Sequence, residues 1–317
     1  MHVDADTLAL MENLGIPGAN SVSAQSTAER AAYIRELVLG LAPQPPITVR
    51  SADDAVVSGV PVRIFQPEPD GTAPVVVFFH AGAFAYGDLD MCDAMCRRIC
   101  RDVEAVVIAV DYRLPPQHPF PAAYDDCLTV ARYIADHVAE FGGGPMAVAG
   151  DSAGGNLAAA VALALRDEGR SVAAQLLGYP EIDLTLTGYR SLDDNAATGY
   201  LFDLVEVRQA AAAYLRDDPD AARMFPASPI HARQLGGVAP AVIGVGDCDP
   251  LLDMCVEYGE RLADAGVAVT LHIFPGLIHS FLGLDSVPAN DAAATRMYSD
   301  FKELLDTSAD TGRRDSR

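Results

Sequence analysis

Five residues near the middle of the chain, Gly150-Asp151-Ser152-Ala153-Gly154, have the types and spacing to turn a serine hydroxyl into a nucleophile. They follow an apolar, β-prone run (Met146, Ala147, Val148, Ala149) and precede the Ala/Leu-rich segment Asn156–Arg166, so the local order is strand, tight turn, helix. The Gly-x-Ser-x-Gly pattern carries a steric demand. Its serine sits at a strained backbone angle, and the residues two before and two after must be small if strand and helix are to pass closely. Gly150 and Gly154 meet that demand, with extra room from Ala153 and Gly155. The turn also places Ser152 at a helix N-terminus, where free backbone N–H groups stabilise a developing oxyanion. An ordinary Gly/Ser turn has the same composition; the strand on one side and the helix on the other favour the nucleophile.

A serine is a weak nucleophile until a base takes its proton, so this chemistry needs a histidine oriented by a carboxylate. On a sheet of this kind the acid follows a late strand and the histidine the last one, in the chain order Ser, Asp, His. Of the seven histidines, only His279 lies in a loop after both the serine turn and the final strand. His272 falls inside that strand and reads as a packed strand residue. His118 sits among prolines, while His2, His137 and His231 read as surface residues. Three acids, Asp247, Asp249 and Asp253, cluster after the strand ending at Gly246. Asp249 precedes Pro250, which suits a helix N-cap with proline at the first helical position. That role is compatible with orienting the histidine, and position alone leaves Asp247 and Asp249 both open. The oxyanion needs at least two fixed donors. Ala153 N–H is one, and the turn His80-Ala81-Gly82-Ala83-Phe84 offers the N–H groups of Gly82 and Ala83.

The elements around these residues alternate. Two helical stretches (Thr7–Leu14 and Thr27–Leu41) end in Pro43-Gln44-Pro45-Pro46 and read as an added segment ahead of the sheet. Ile47–Arg50 and Val60–Phe65 read as early strands, and Pro67-Glu68-Pro69-Asp70-Gly71 as a turn cluster. The fully apolar Val75–Phe79 suits a buried parallel strand. A helix over Asp90–Arg101, a strand over Ala105–Val110, a proline-rich loop over Asp111–Asp126 and a helix over Ala123–Phe141 follow. Gly142-Gly143-Gly144 lacks the Lys-Ser/Thr of a phosphate loop and reads as a plain connection. Beyond the serine helix come a strand at Ala173–Gly178 and a polar and aromatic excursion near 185–225. Then follow the strand Ala241–Gly246, the helix Asp253–Ala265, the strand Val267–Phe274 and a helix near Ala289–Leu305. Residues 307–317 read as a polar, disordered tail. Buried strands alternating with helices at this spacing predict a mainly parallel sheet covered on both faces.

Composition narrows the partners. The net charge of −22 argues against nucleic acid or an anionic membrane surface, both of which repel an acidic protein. No basic or continuously apolar leader stands at the N-terminus, and no run approaches the roughly 18 apolar residues of a spanning helix. The expected location is therefore cytoplasmic. Six cysteines in a chain of this length do not read as a disulfide framework. Cys92, Cys96 and Cys100 share one helix face without further ligands at metal spacing, and read as buried small apolar residues rather than a metal site.

With these residues in place, the sequence resembles the hormone-sensitive lipase-like family of α/β-hydrolases, which includes bacterial (family IV) esterases. The resemblance rests on His80-Ala81-Gly82-Ala83, the stretch Asp111–Asp126, Gly150–Asn156, Asp249-Pro250-Leu251 and Gly276-Leu277-Ile278-His279-Ser280-Phe281, in matching order across roughly residues 60–285. It implies the α/β-hydrolase fold, with a mainly parallel eight-stranded sheet in two core parts (46–184 and 226–306) and a helical cap from 1–45 and 185–225. It implies Ser152, Asp249 and His279 as a catalytic triad, resolving the choice between Asp247 and Asp249, and Gly82, Ala83 and Ala153 as the oxyanion hole. The implied activity is serine carboxylesterase action on short- to medium-chain acyl esters, small molecules, without a cofactor. Members often pair through the sheet edge, which offers a homodimer. Ala81 and Ala83 depart from the glycines usual there, and the Ala83 methyl narrows the space beside the reacting carbonyl, which bears on bulky substrates. An apolar pocket is expected from Phe84, Tyr86, Leu201, Phe202, Tyr214 and Ile278, with Tyr179 and Phe281 as further candidates. The same triad would also serve an acyltransferase, a cyclase or an amide hydrolase. A ligand-binding protein without turnover is the reading from another class, and the complete set of triad residues argues against it.

Overall fold

Fully buried runs of β-branched and aromatic residues form the centre of the sheet in a computed structural model, which describes residues 2–16, 27–68, 71–195 and 200–315. The strands are β1 (Ser51–Val57), β2 (Val60–Gln66), β3 (Ala73–Phe79), β4 (Val106–Val110), β5 (Gly143–Asp151), β6 (Gln175–Gly178), β7 (Ala241–Gly246) and β8 (Val269–Phe274). They lie in the order β1-β2-β4-β3-β5-β6-β7-β8, antiparallel at β1/β2 and β2/β4 and parallel from β4 onward. β4 follows β3 in the chain but lies on its far side from β5, so connections leave β3 and β5 in opposite directions. Such a reversal opens a crevice at the C-terminal strand ends. Because Phe79 pairs with Gly150, the turn after β3 and the serine turn after β5 emerge side by side.

The helices are α1 (Ala5–Asn13), α2 (Thr27–Leu41), α3 (Asp93–Val103), α4 (Ala122–Asp136), α5 (Ala153–Asp167), α6 (Arg190–Asp194), α7 (Leu204–Tyr214), α8 (Leu252–Asp264) and α9 (Pro288–Asp315). Helices cover both faces of the sheet. Neighbouring β7 residues point opposite ways: Ile243 reaches Gly259 of α8, whereas the Cα of Gly244 abuts Met297 of α9. All six cysteines are buried.

Three expectations need correction. Ile47–Arg50 is not a strand; the first strand is Ser51–Val57, whose polar residues conceal it. Its signal was the two-residue turn Ser58-Gly59, both at positive φ, which joins it to β2 as a hairpin. Gly143 and Gly144 belong to β5 rather than to a connection, because β5 pairs with β3 back to Ala73. The segment expected to be a disordered tail from 307 continues α9 as helix to Asp315. Residues 69–70 of the expected turn cluster, 1, 17–26 and 196–199 of the expected cap, and 316–317 lie outside the described residues. Among the described residues, no helix is long and apolar enough to cross a membrane.

Candidate active site

β5 ends at Asp151 and α5 begins at Ala153, so Ser152 alone makes the reversal, at φ 52° and ψ −119°. Such a conformation costs on the order of 1–3 kcal/mol and persists only where the surroundings fix it. Here they do. Ser152 N–H donates to Gly178 O at 2.8 Å, and Ser152 O accepts from Glu181 N–H at 3.1 Å. Gly150 and Gly154 allow the approach: a Cβ on Gly150 would stand 2.2 Å from Gly154 O, and one on Gly154 would stand 2.0 Å from Phe79 O.

The structure brings Ser152, His279 and Asp249 together. His279 Nε2 lies 3.0 Å from Ser152 Oγ, and its Nδ1 lies 2.9 Å from Asp249 Oδ2. All three side chains are buried, Asp249 completely. The rings of Tyr179 and Phe202 meet the imidazole edge-on at 4.8 and 4.9 Å and fix its plane. Asp249 divides its oxygens: Oδ2 faces the imidazole, while Oδ1 accepts from Leu251 N–H at 2.8 Å. The expected N-cap with Pro250 opening the helix is therefore shifted, since α8 starts at Leu252. Asn195 holds the same corner, its Nδ2 donating to the carbonyl oxygens of Asp247 and Asp249. The other two acids are engaged elsewhere. Asp247 Oδ1 accepts from Gly276 N–H at 2.7 Å, and Asp253 Oδ2 from Ser191 N–H at 2.8 Å.

The turn after β3 holds three successive residues at positive φ: Gly82 (132°), Ala83 (49°) and Phe84 (58°). Gly82 admits no side chain, because a Cβ there would lie 1.8 Å from Tyr86 O. Ala83 takes the left-handed conformation despite its methyl, at about 1–2 kcal/mol. Phe84, fully buried and stacked on Tyr214 at 4.2 Å, anchors the strained turn. Among the described residues, the N–H groups of Gly82, Ala83 and Ala153 donate to no backbone carbonyl. His80 does not compete as a base. It is stacked on Tyr112, and burial pushes its pKa down to about 4.

Ser152 opens into a cavity of about 150 Å³ that it shares with His279, Gly82 and Ala83. Of the residues named for the pocket, Tyr86, Leu201 and Phe202 line this cavity, as does Tyr179. Phe84, Tyr214 and Ile278, expected in the pocket, lie outside its lining. Phe84 and Tyr214 stack on each other, Ile278 packs against Met11 and Leu284, and Phe281 lies behind Tyr179. Residues 1–45 were expected as part of a cap without any lining residue being named; Ile34, Leu37, Val38 and Leu41 of α2 form one wall of the cavity. Their i, i+3, i+4, i+7 spacing was a readable amphipathic stripe. Val207 of α7 lines the cavity too, and the Arg30–Glu206 ion pair at 3.0 Å ties α2 to α7. Cys92, expected only as packing, also reaches the lining. Two acids are buried at its wall. Desolvation raises Asp151 to about 6 against the opposing hydrogen bond from Tyr179, and raises Glu181 to about 8. Among the described residues, no three His, Cys, Asp or Glu side chains gather as a metal site.

A crevice at a strand-order reversal, with a serine on a strained strand-to-helix turn facing a histidine and a buried aspartate, defines the α/β-hydrolase class. The chain belongs to the family described as alpha/beta hydrolase fold, whose model matches residues 76–283, and within it to the hormone-sensitive lipase-like group. It is 39% identical over 268 residues to the carboxylic ester hydrolase LipN of Mycobacterium tuberculosis (strain ATCC 25618 / H37Rv), covering 80% of this chain and 70% of LipN. The structure of EstE1, a thermostable carboxylesterase cloned from a metagenomic library, superposes with a TM-score of 0.84. It is 32% identical and covers 90% of this chain and 99% of EstE1. An esterase from Pyrobaculum calidifontis superposes with a TM-score of 0.88 at 29% identity, covering 96% of this chain and 99% of that one. This chain is an enzyme of the ester hydrolase class.

Proposed function

We propose that the chain is a serine carboxylesterase that hydrolyses short- to medium-chain esters through an acyl-enzyme. The observation that carries this reading is the continuous relay from Ser152 Oγ through His279 to Asp249, at 3.0 and 2.9 Å. Ser152 Oγ attacks the ester carbonyl as its proton passes to His279 Nε2. Asp249 holds Nδ1–H and stabilises the imidazolium. The carbonyl oxygen becomes an oxyanion beside the N–H groups of Gly82, Ala83 and Ala153. The intermediate collapses, the C–O bond breaks, and the leaving alkoxide takes the proton from Nε2. Water, deprotonated by the same nitrogen, then attacks the acyl-enzyme and frees the acid. A cavity of about 150 Å³ accepts a benzene-sized molecule, which supports small acyl groups.

The test is hydrolysis of p-nitrophenyl esters of increasing chain length, with Ser152→Ala as control. Wild type is expected to exceed the variant by about 10⁵-fold in kcat, and a fluorophosphonate to label Ser152. Equal rates in the two proteins, together with no labelling, would overturn the reading.

A further inference from the structure

Glu181 stands against the nucleophile, and neither the fold nor the hydrolytic relay uses its side chain. Its backbone is pinned on both sides: the N–H donates to Ser152 O at 3.1 Å, and the carbonyl oxygen accepts Asn156 Nδ2 at 2.8 Å. The residue is 1% exposed and lines the cavity with Ser152 and His279, and among the described residues neither carboxyl oxygen has a hydrogen-bond partner. A buried polar group without a partner costs about 1–3 kcal/mol or more, and here the unmet capacity is two acceptors at the substrate's own cavity. Among the described residues, no lysine or arginine lines that cavity. Arg30, on the adjoining wall helix, is engaged by Glu206. The other acid of the wall, Asp151, already accepts from the Tyr179 hydroxyl.

A ligand that donates supplies the group that these residues do not. A neutral carbonyl or ether on the substrate would take the carboxyl proton and leave the second oxygen unmet. A protonated amine gives one oxygen an N–H and neutralises the charge shared by both, and the aromatic rings of Tyr86 and Phe202 in the same lining suit a cation.

We propose that Glu181 is the recognition group for esters that carry a protonated amine, its carboxylate accepting the ammonium N–H while Ser152 attacks the ester carbonyl. This rests on the esterase reading of the Ser152 site. Desolvation alone keeps the empty carboxyl protonated up to about pH 8, so binding at neutral pH exchanges that proton for the ammonium and releases one proton to solvent. No bond to carbon changes in this step.

The test compares esters of equal shape. Dimethylaminoethyl butyrate is set against isopentyl butyrate for an amine in the alcohol half, and ethyl dimethylaminobutyrate against ethyl methylhexanoate for one in the acyl half. In one half or the other, wild type is expected to favour the amine ester by about tenfold in kcat/KM, equivalent to about 1.4 kcal/mol. Glu181→Gln is expected to remove that preference; because each ratio is taken within a single protein, differences in folded fraction cancel. A ratio unchanged by Glu181→Gln, or a wild type that favours the neutral ester in both halves, overturns the proposal. Calorimetry of isopentylamine binding to Ser152→Ala, in two buffers of different ionisation enthalpy, needs no turnover. Release of about one proton supports the proposal, and binding without release or no binding overturns it. Loss of all ester turnover in wild type would instead overturn the esterase reading and leave the calorimetry to decide on Glu181.

Discussion

Asp247 and Asp249 follow the same strand two residues apart, and their hydrogen bonds separate them into a loop anchor and the partner of His279. Asp249→Asn keeps an acceptor for Leu251 N–H but can present an amide N–H to Nδ1, which forces the wrong tautomer. It is expected to lower kcat about 10⁴-fold with the fold intact. Asp247→Asn retains an oxygen for Gly276 N–H and is expected to stay within about tenfold of wild type. Steady-state kinetics with a p-nitrophenyl ester read both, and the reverse ranking would move the role to Asp247. The buried acids make a second prediction, about stability. Asp151 and Glu181 have folded-state pKa values above their unfolded ones, so the folded chain binds more protons and stability falls as pH rises. For Asp151 the loss runs from 3.8 to about 6, and for Glu181 from 4.5 to about 8. Between about 6 and 8 only the Glu181 contribution is still changing, by at most about 1.4 kcal/mol per pH unit. Urea unfolding across that window should therefore show Glu181→Gln gaining on wild type as pH rises, and a constant difference would refute the linkage.

Helix α1 matters to the site because it packs on the loop that carries His279. Asp4 N–H donates to Gly276 O at 2.9 Å, and Met11 and Ile16 share a small buried cluster with Cys248, Ile278 and Leu284. Met11 is fully buried, so Met11→Ala should cost about 2–5 kcal/mol locally. The expected signature is faster hydrogen exchange at residues 276–284, with the central strands unchanged; a uniform change over the whole chain would show that α1 does not brace that loop. The sequence made much of this level legible, and for physical reasons. The buried parallel strands announce themselves as apolar runs, and Gly150-x-Ser152-x-Gly154 announces its turn because no other residue type fits those two ends. β1 was illegible because its exposed edge leaves Asp53 and Asp54 free to be polar. The pocket aromatics were only half legible. Residue type marks Phe84 and Ile278 as apolar, but which side of a strained turn or loop each one faces is decided by packing. Glu181 carried no sequence signal at all, because an acid after a strand is ordinarily a solvated one.

At the scale of the molecule the dominant fact is charge: 44 acidic against 22 basic side chains, for a net −22. The bases are gathered by several acids at once. Arg98, its side chain only 3% exposed, faces Asp102, Asp285 and Asp291, and Arg63 faces Asp54, Asp90 and Asp93. Even so, half of the acids have no base to match them. Two effects of added salt then oppose each other. Screening weakens exposed ion pairs, each worth about 0–1 kcal/mol, and relieves repulsion among the surplus carboxylates, which acts over the whole surface within a Debye length of about 10 Å at 0.1 M. Two pairs that tie elements together, Arg30–Glu206 and Arg98–Asp285, are among the least exposed and hence the least screened, so relief of repulsion should win. Raising sodium chloride from about 10 mM to about 150 mM is expected to raise Tm by roughly 2–4 °C, equivalent to about 1 kcal/mol in a chain of this size. Choline chloride should do the same, because the effect is one of ionic strength and not of a bound sodium ion. A Tm that falls with both salts would mean that the ion pairs, not the surplus charge, govern the stability of this surface.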